Sequence, residues 1–217
     1  MADQEFHGIR AASAVDALSI AAANSLLQEM KLLLADGVDV NGLASYAGST
    51  ALHTAAGYGR VRSVEFLIRA GADLNATDRL DLTPLMSACS LGKNKGSRVA
   101  LLLIAAGADV RYVRTADGMT ALKFAVHACK PEVIQALIDR GAEVDGPPGT
   151  DQTALMIAAR ANHVEALQVL VSNGAELSLA CKLPWAEGRT AEGLAELEGQ
   201  HAALEYLRQV RTEPVSE

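Results

Sequence analysis

The stretch TALHTAAGYG, residues 50–59, contains the phrase that decides how the chain folds. In it a threonine precedes a small residue, a leucine, the histidine His53 and a pair of alanines. Variants of the phrase begin at Thr83, Thr120, Thr153 and Thr190, so that successive threonines are 33 or 37 residues apart. An internal repeat of this period indicates a protein built from stacked structural units, each too small to bury its apolar faces alone.

Each repeat is predicted to form two helices. Asp16, in the related phrase DALSIAA, and the five threonines stand where a helix N-cap is expected, because a short side-chain oxygen accepts a hydrogen bond from a free backbone N–H. An alanine-rich first helix follows. The second helix has an apolar stripe, as in VEFLIRAG, and should end at a left-handed glycine. The glycines at these ends are Gly37, Gly71, Gly107, Gly141 and Gly174.

The phrase and its period resemble the ankyrin repeat, in which T-P-L-H-x-A recurs about every 33 residues. The resemblance implies an all-α fold, an ankyrin-repeat solenoid of stacked helix-turn-helix units joined by hairpin-like loops. We expect an N-terminal tail over residues 1–15, a repeat domain over 16–211 and a C-terminal tail over 212–217, with units that start near 16, 50, 83, 120, 153 and 190. Polar residues at the end, such as Glu192 in place of a buried leucine, predict capped terminal units and therefore a complete, monomeric array.

Composition disfavours several classes of function. The chain of 217 residues has a net charge of −7, whereas a nucleic-acid partner requires clustered lysine and arginine. No stretch reaches the roughly 20 apolar residues that cross a bilayer, so no membrane partner is expected. Three cysteines without paired spacing, and an N-terminus without an apolar run, predict a cytoplasmic protein.

His53 is expected to hold a turn rather than to catalyse a reaction. In ankyrin repeats this histidine typically hydrogen-bonds backbone groups around the turn, and the other repeats replace it. The replacements are Ser19, Met86, Lys123, Met156 and Gly193. The remaining histidines do not combine with cysteines or carboxylates at metal-ligand spacing, and no nucleophile motif is present. We therefore expect no catalytic residue, no metal site and no cofactor.

The segment GKNKGSR, residues 92–98, departs from the repeat length and leaves two interpretations open. It lacks the residue order of a phosphate-binding loop. We expect three extra residues to lengthen the turn between the two helices of this repeat. Its basic residues Lys93, Lys95 and Arg98 then form either a solvated loop or a contact with a partner.

The segment LSLACKLPWAEGR, residues 177–189, is a longer loop that holds the only tryptophan of the chain, Trp185. A tryptophan here either packs over the last repeat or binds a partner, since the residue is favoured at interfaces. Both interpretations stay open.

Asn41 and Asn75 each follow an aspartate by two residues and resemble positions that an asparagine hydroxylase modifies in some ankyrin proteins. The favoured interpretation is that both side chains make hydrogen bonds within the hairpins.

The resemblance implies that a partner protein binds to the hairpin tips and the exposed face of each first helix, which together line one concave surface. Aromatic residues, methionine and arginine at such positions are typical of binding hot spots. Registering each repeat on its threonine, and adding the tryptophan of the long loop, gives the candidate contacts Tyr46, Tyr58, Arg79, Leu80, Leu82, Leu91, Met119, His127, Arg160 and Trp185. The expected function is a non-enzymatic protein-binding module that acts as a scaffold, a regulator or a stoichiometric inhibitor.

Two other functions remain open. One is an enzyme or small-molecule-binding protein with a site on the concave face, although repeat scaffolds lack a deep pocket with convergent titrating groups. The other is binding to a polyanion or a lipid surface through the basic segment at 92–98, which steep salt dependence would reveal.

Overall fold

The computed structural model describes residues 4–45, 47–92, 94–128 and 130–212. In this part of the chain, first and second helices alternate. The first helices are α1 (Ala14–Asn24), α3 (Ala51–Gly57), α5 (Pro84–Ser90), α7 (Ala121–Ala128), α9 (Ala154–Arg160) and α11 (Ala191–Leu197). The second helices are α2 (Leu27–Ala35), α4 (Val61–Arg69), α6 (Lys95–Ala106), α8 (Pro131–Asp139), α10 (Val164–Ser172) and α12 (His201–Thr212).

The helices form two units, an N-terminal unit that ends at Asp109 and a C-terminal unit that begins at Val110. In the N-terminal unit, α3 packs between α1 and α5, and α4 contacts both α2 and α6. In the C-terminal unit, α9 packs between α7 and α11, and α10 contacts both α8 and α12. Each first helix also packs against its own second helix, so every repeat buries its apolar stripe within its unit.

The five threonines cap the first helices, as the sequence predicts. In each case the side-chain oxygen accepts a hydrogen bond from the backbone N–H three residues later, at donor–acceptor distances of 3.2–3.4 Å. The glycines that were expected to end the second helices all have positive φ, from 82° to 96°. The predicted threonine N-caps of the first helices and the predicted left-handed glycines after the second helices are therefore confirmed.

Asp16 is not an N-cap, so this prediction is wrong. Helix α1 begins at Ala14, and the side chain of Ser13 caps it by accepting from the backbone N–H of Asp16 at 3.1 Å. The helix is lengthened at its start, which places Asp16 in its first turn. Its carboxylate instead accepts hydrogen bonds from the backbone N–H and hydroxyl of Ser45 at 2.7 and 2.9 Å. Asp16 thus ties α1 to the first hairpin-like loop.

The extra residues near 92–98 lengthen a helix rather than a turn. Helix α6 has 12 residues where α4 has nine, and both Lys95 and Arg98 lie in it. The expectation of a longer basic loop is therefore wrong for these two residues, while Lys93 lies outside the described residues. The helix begins this early because Gly96 allows close contact with α5: a Cβ at this position would overlap the carbonyl oxygen of Ala88.

The loops between repeats are hairpin-like, as expected. Backbone N–H groups donate across their ends, from Ala44 to Ser49 at 2.9 Å and from Asp78 to Leu82 at 3.1 Å. In the C-terminal unit, Arg114 donates to the carbonyl oxygen of Met119 at 2.8 Å.

Residues before the first repeat form a β-hairpin that the sequence analysis did not anticipate. Strand β1 (Gln4–Phe6) pairs antiparallel with β2 (Ile9–Ala11), and the turn residues His7 and Gly8 both have positive φ, as a two-residue hairpin turn requires. Strand β2 packs against α1, and its residues Ile9 and Ala11 are buried. The limits of the repeat domain at 16 and 211 remain a prediction.

Two glycine substitutions should change stability in opposite directions. Gly96→Ala should lower the free energy of unfolding by about 1–3 kcal/mol, because its Cβ would overlap backbone that cannot move aside. Gly57→Ala should raise it by about 0.5 kcal/mol, since no atom lies near that Cβ and alanine favours a helix. Urea unfolding followed by circular dichroism measures both values. Equal effects of the two variants would contradict the close packing of α6 on α5.

Candidate functional site

His53 is buried and links its own repeat to the next hairpin. Its Nδ1 accepts hydrogen bonds from the backbone N–H and the hydroxyl of Thr50 at 3.3 and 2.9 Å, and its Nε2 donates to the carbonyl oxygen of Leu82 at 2.9 Å. Threonine and histidine therefore cap the start of α3 reciprocally. Since both ring nitrogens are used in this way, the structural interpretation of His53 is confirmed.

Burial lowers the pKa of His53 below its usual value of 6.5. The carbonyl oxygen of Leu82 and the charge of Asp78 oppose this shift without cancelling it. The side chain is consequently neutral near pH 7, and this is the form that can both accept from Thr50 and donate to Leu82.

Lys123 occupies the place of His53 in the fourth repeat and likewise links its own repeat to the following loop. Its Nζ donates to the carbonyl oxygen of Gly118 at 2.9 Å and to the hydroxyl of Thr150 in the following loop at 2.6 Å. Burial lowers its pKa, whereas the charges of Asp117 and Asp151 act in the opposite direction. From the sequence, this repeat was expected to lack the hydrogen bonds that the histidine makes. The sequence did indicate this structural role of Lys123, because a lysine stands at a buried position of the repeated phrase.

Asn41 and Asn75 link successive hairpins of the N-terminal unit. Their side-chain oxygens accept from the backbone N–H of Asp73 and of Asp109, each at 2.8 Å. Both asparagines thus make structural hydrogen bonds, as expected, but the expectation that these bonds lie within one hairpin is wrong, because each reaches the next hairpin.

The N-terminal unit contains a groove of about 750 Å³ that runs between its first two repeats. Helices α1 and α3 form its sides, together with residues of the two hairpin-like loops. Small side chains at most of these positions leave the space open. The lining residues are Ala12, Asp16, Ser19, Ile20, Ala23, Ala44, Ser45, Ala47, Ser49, His53, Thr54, Gly57, Tyr58, Asp78 and Ser87.

Large apolar side chains are exposed at and beside this groove. Tyr58 lines it and is 58% exposed, and Leu91, which is 40% exposed, lies against the neighbouring Gly59. Leu80 is 66% exposed at the next hairpin tip. The structure thus places these three predicted contacts on the hairpins and first-helix ends of one unit.

Two further predicted contacts have different surroundings. Arg79 is exposed and its side chain packs on Gly48, whereas Leu82 is half-buried and its carbonyl oxygen accepts from His53. Tyr46 lies outside the described residues. Ile20, 38% exposed in the groove, was missed by the sequence analysis. The indication for it was an isoleucine at the place that Thr54 and Ser87 hold in the next two repeats.

Of the four predicted contacts in the C-terminal unit, Arg160 and Trp185 contact each other, whereas Met119 and His127 have other surroundings. Met119 is half-buried within its hairpin, and His127 is exposed with its ring centroid 6.1 Å from that of His163. The guanidinium of Arg160 lies over the half-exposed ring of Trp185, 4.3 Å from its centroid, and also contacts Glu198 at 3.3 Å. One face of the tryptophan is therefore covered by a cation from its own unit.

Within the described residues, no group of three or more histidines, cysteines or acids is placed to hold a metal ion. Cys89 and Cys181 are buried thiols, and Cys129 lies outside the described part of the chain. No helix in the ranges that the structure describes has the length and apolar character to cross a bilayer.

A family model for ankyrin repeats matches the chain in three copies, over residues 5–78, 68–147 and 85–181. An L-asparaginase from Dirofilaria immitis is 31% identical over 157 residues, which are 58% of this chain and 26% of the relative. The neurogenic locus Notch protein of Drosophila melanogaster is 31% identical over 121 residues, 56% of this chain and 4% of the relative. The chain thus spans only about a quarter or less of the length of these curated relatives.

Among solved structures, the chain is similar to one chain of a complex between the predatory endopeptidase Bd0816 from Bdellovibrio bacteriovorus and the immunity protein Bd3460. The TM-score is 0.77 at 25% sequence identity, and the match covers 88% of this chain and 96% of that chain. Together with the family match, it confirms the predicted fold class, an all-α solenoid of helix-turn-helix units.

The buried, neutral His53 should make stability depend on pH. In the unfolded chain a histidine binds a proton as the pH falls below about 6.5, whereas the lowered pKa keeps the folded side chain neutral. The free energy of unfolding should therefore fall between about pH 7 and pH 5, by up to about 1.4 kcal/mol per pH unit from this group. Urea titrations at several pH values measure the slope.

The variant His53→Gln should have a shallower slope over this range, and His127→Gln, at an exposed position, should keep that of the wild type. Equal slopes for the wild type and His53→Gln would show that His53 titrates normally in the folded chain.

Proposed function

Because the chain belongs to the ankyrin-repeat family, we propose that it is a non-enzymatic module that binds a partner protein on its hairpin tips and the exposed sides of its first helices. Ankyrin repeats indicate a protein–protein interaction module. The asparaginase relative does not argue for an enzyme, since the chain spans 26% of its length. On the basis of the sequence, we also propose that the free chain is monomeric and is located in the cytoplasm.

Exposed apolar side chains in the N-terminal unit are the observation that carries the proposal. The core of this unit is filled by other residues, among them Leu52, Leu67 and Leu85, so the fold itself does not require Tyr58 and Leu80 to be apolar. Large apolar groups near an arginine, here Arg79, are the usual constituents of a binding hot spot. Their position beside an open groove favours a protein partner that inserts side chains there.

The hairpin that carries Leu80 is held in shape before any partner binds. The Oδ1 atom of Asp78 accepts from the backbone N–H groups of Leu80 and Leu82 at 2.8 and 3.0 Å, and Leu82 is held in turn by His53. A surface fixed in this way loses little conformational entropy on docking, which favours affinity for a partner of matching shape. In the C-terminal unit, Met119, His127, Arg160 and Trp185 remain proposed contacts.

We favour an inhibitor among the roles open to such a module. The similar solved structure is a chain of a complex between an endopeptidase and an immunity protein, so a chain of this fold takes part in a pairing of that kind. An analogous role here would be to bind an enzyme in a one-to-one complex and cover its active site. A scaffold that only positions its partner is the alternative.

Affinity capture from the native lysate, followed by mass spectrometry, tests this function. The baits are the wild-type chain and the variant Tyr58→Ala/Leu80→Asp/Leu91→Asp, after circular dichroism has shown that both are folded. We expect one protein to be enriched on the wild type and at least tenfold reduced on the variant, because hot-spot losses exceed 2 kcal/mol.

The matched control is Leu32→Asp/Leu101→Asp, which makes the same kind of change on the second helices α2 and α6, at positions about as exposed as Leu91. This control should retain the partner. Loss of the partner from the control alone would place the site on the second helices. Capture of nothing by the wild type would count against a protein-binding function.

A further inference from the structure

The groove of the N-terminal unit combines apolar walls with one sign of charge. Ile20 on α1 and Tyr58 on α3 line it, together with alanines such as Ala23 and Ala47. Its charged lining residues are Asp16 and Asp78, and no lysine or arginine of the described chain lines it.

Asp16 is an ionised carboxylate whose described hydrogen bonds all come from neutral groups. Beside the two bonds from Ser45, it accepts from the hydroxyl of Ser13 at 2.7 Å. Burial by itself would raise its pKa, but these hydrogen bonds outweigh burial, so the pKa lies below its usual value. The negative charge therefore persists at neutral pH, and no cation among the described residues forms a salt bridge with it.

The hydrogen bonds described for the carboxylate of Asp78 also come from neutral groups, the backbone amides of Leu80 and Leu82. Some other carboxylates have cationic partners among the described residues: Glu192 pairs with Arg208 and Arg211, and Glu198 pairs with Arg160. No salt bridge reaches Asp16 or Asp78 from any described residue. The groove is thus electrostatically unbalanced, which favours a positively charged occupant.

Two arginines lie near the groove but do not line it. Arg60 donates from Nε to the carbonyl oxygen of Ala23 at 2.6 Å, and the aliphatic part of Arg79 packs on Gly48. Ser19 adds a polar group to the groove: it is 7% exposed, and its hydroxyl has no hydrogen-bond partner among the described residues. The backbone of an occupant could supply that partner.

We propose that the groove binds a segment of the partner protein in which a bulky apolar side chain lies next to lysine or arginine. The apolar side chain packs between Ile20 and Tyr58, and the cation lies beside Asp16 and Asp78. This inference rests on the proposed function and names the partner's chemistry. The chain's own C-terminal residues EPVSE carry no basic side chain, and a second copy with a net charge of −7 is a poor electrostatic match.

Selection of phage-displayed random peptides on the full-length chain tests the proposal. We expect selected peptides to share a lysine or arginine within about two residues of a bulky apolar residue. Fluorescence polarisation of the corresponding synthetic peptides then gives their affinities. Asp16→Asn and Asp78→Asn should each weaken binding about fivefold and together by more than tenfold, as for partly exposed ion pairs. Raising NaCl from about 50 to 500 mM should weaken wild-type binding several-fold and spare the double variant.

Asp39→Asn is the matched control. Asp39 also accepts a turn amide, that of Asn41 at 2.9 Å, and lies in the same unit but does not line the groove. This variant should bind the peptides within twofold of the wild type, while Ile20→Ala/Tyr58→Ala should lose them. If Asp16→Asn lowers the melting temperature, Asp78→Asn and the salt titration decide the question.

The possible failures are distinguishable. In one outcome, peptides fail to bind Ile20→Ala/Tyr58→Ala but carry no lysine or arginine, or bind Asp16→Asn and Asp78→Asn as tightly as the wild type. This outcome would overturn the inferred positive charge of the occupant and would leave the protein-binding function unaffected. Peptides that bind Ile20→Ala/Tyr58→Ala unchanged, or no selected peptide at all, would overturn the groove as the site. The affinity capture from lysate, with Leu32→Asp/Leu101→Asp as its control, then tests the protein-binding function independently.

Discussion

Close packing of the first helices is the constraint on which the rest of each unit depends. In α1 and α3 the buried positions are filled largely by alanine, for example Ala21, Ala22, Ala55 and Ala56, so that adjacent helices can approach closely. Larger side chains such as Leu67 are left to the second helices. Small side chains also occupy most positions on the outer side of the first helices, and they leave the groove open. The small residues of the first helices therefore account both for the close packing of the core and for the open groove of the candidate binding site.

Polar side chains then fix the loops against the helices. His53 bonds the carbonyl oxygen of Leu82, Lys123 bonds the hydroxyl of Thr150, and Asn41 bonds the amide of Asp73. Each of these residues could be mistaken for a catalytic or modified group when seen in sequence alone. Their bonds span one repeat, which means that they set the spacing between neighbouring hairpins. The exposed side chains of the hairpin tips are consequently held in place by buried polar groups beneath them.

What could be predicted from the sequence was governed by local rules. Threonine caps and terminal glycines depend on a few adjacent residues, so their positions followed directly from the repeated phrase. The start of α1 was placed too late because Ser13 lies one turn upstream of the phrase. The extension of α6 depends on contact between Gly96 and Ala88, and the groove depends on which side chains two repeats bring together. The groove is a tertiary feature without a local signature, whereas alignment of Ile20 with Thr54 and Ser87 of the next two repeats would have indicated this residue.

The central claim is that a partner protein docks on the groove side of the N-terminal unit. Incorporation of the photo-crosslinker p-benzoylphenylalanine at position 58, inside living cells, tests it most directly, with the same substitution at Leu101 on α6 as the reference position. We expect position 58 to crosslink one discrete protein and position 101 to crosslink none. A crosslinked protein from position 101 with none from position 58 would contradict this claim.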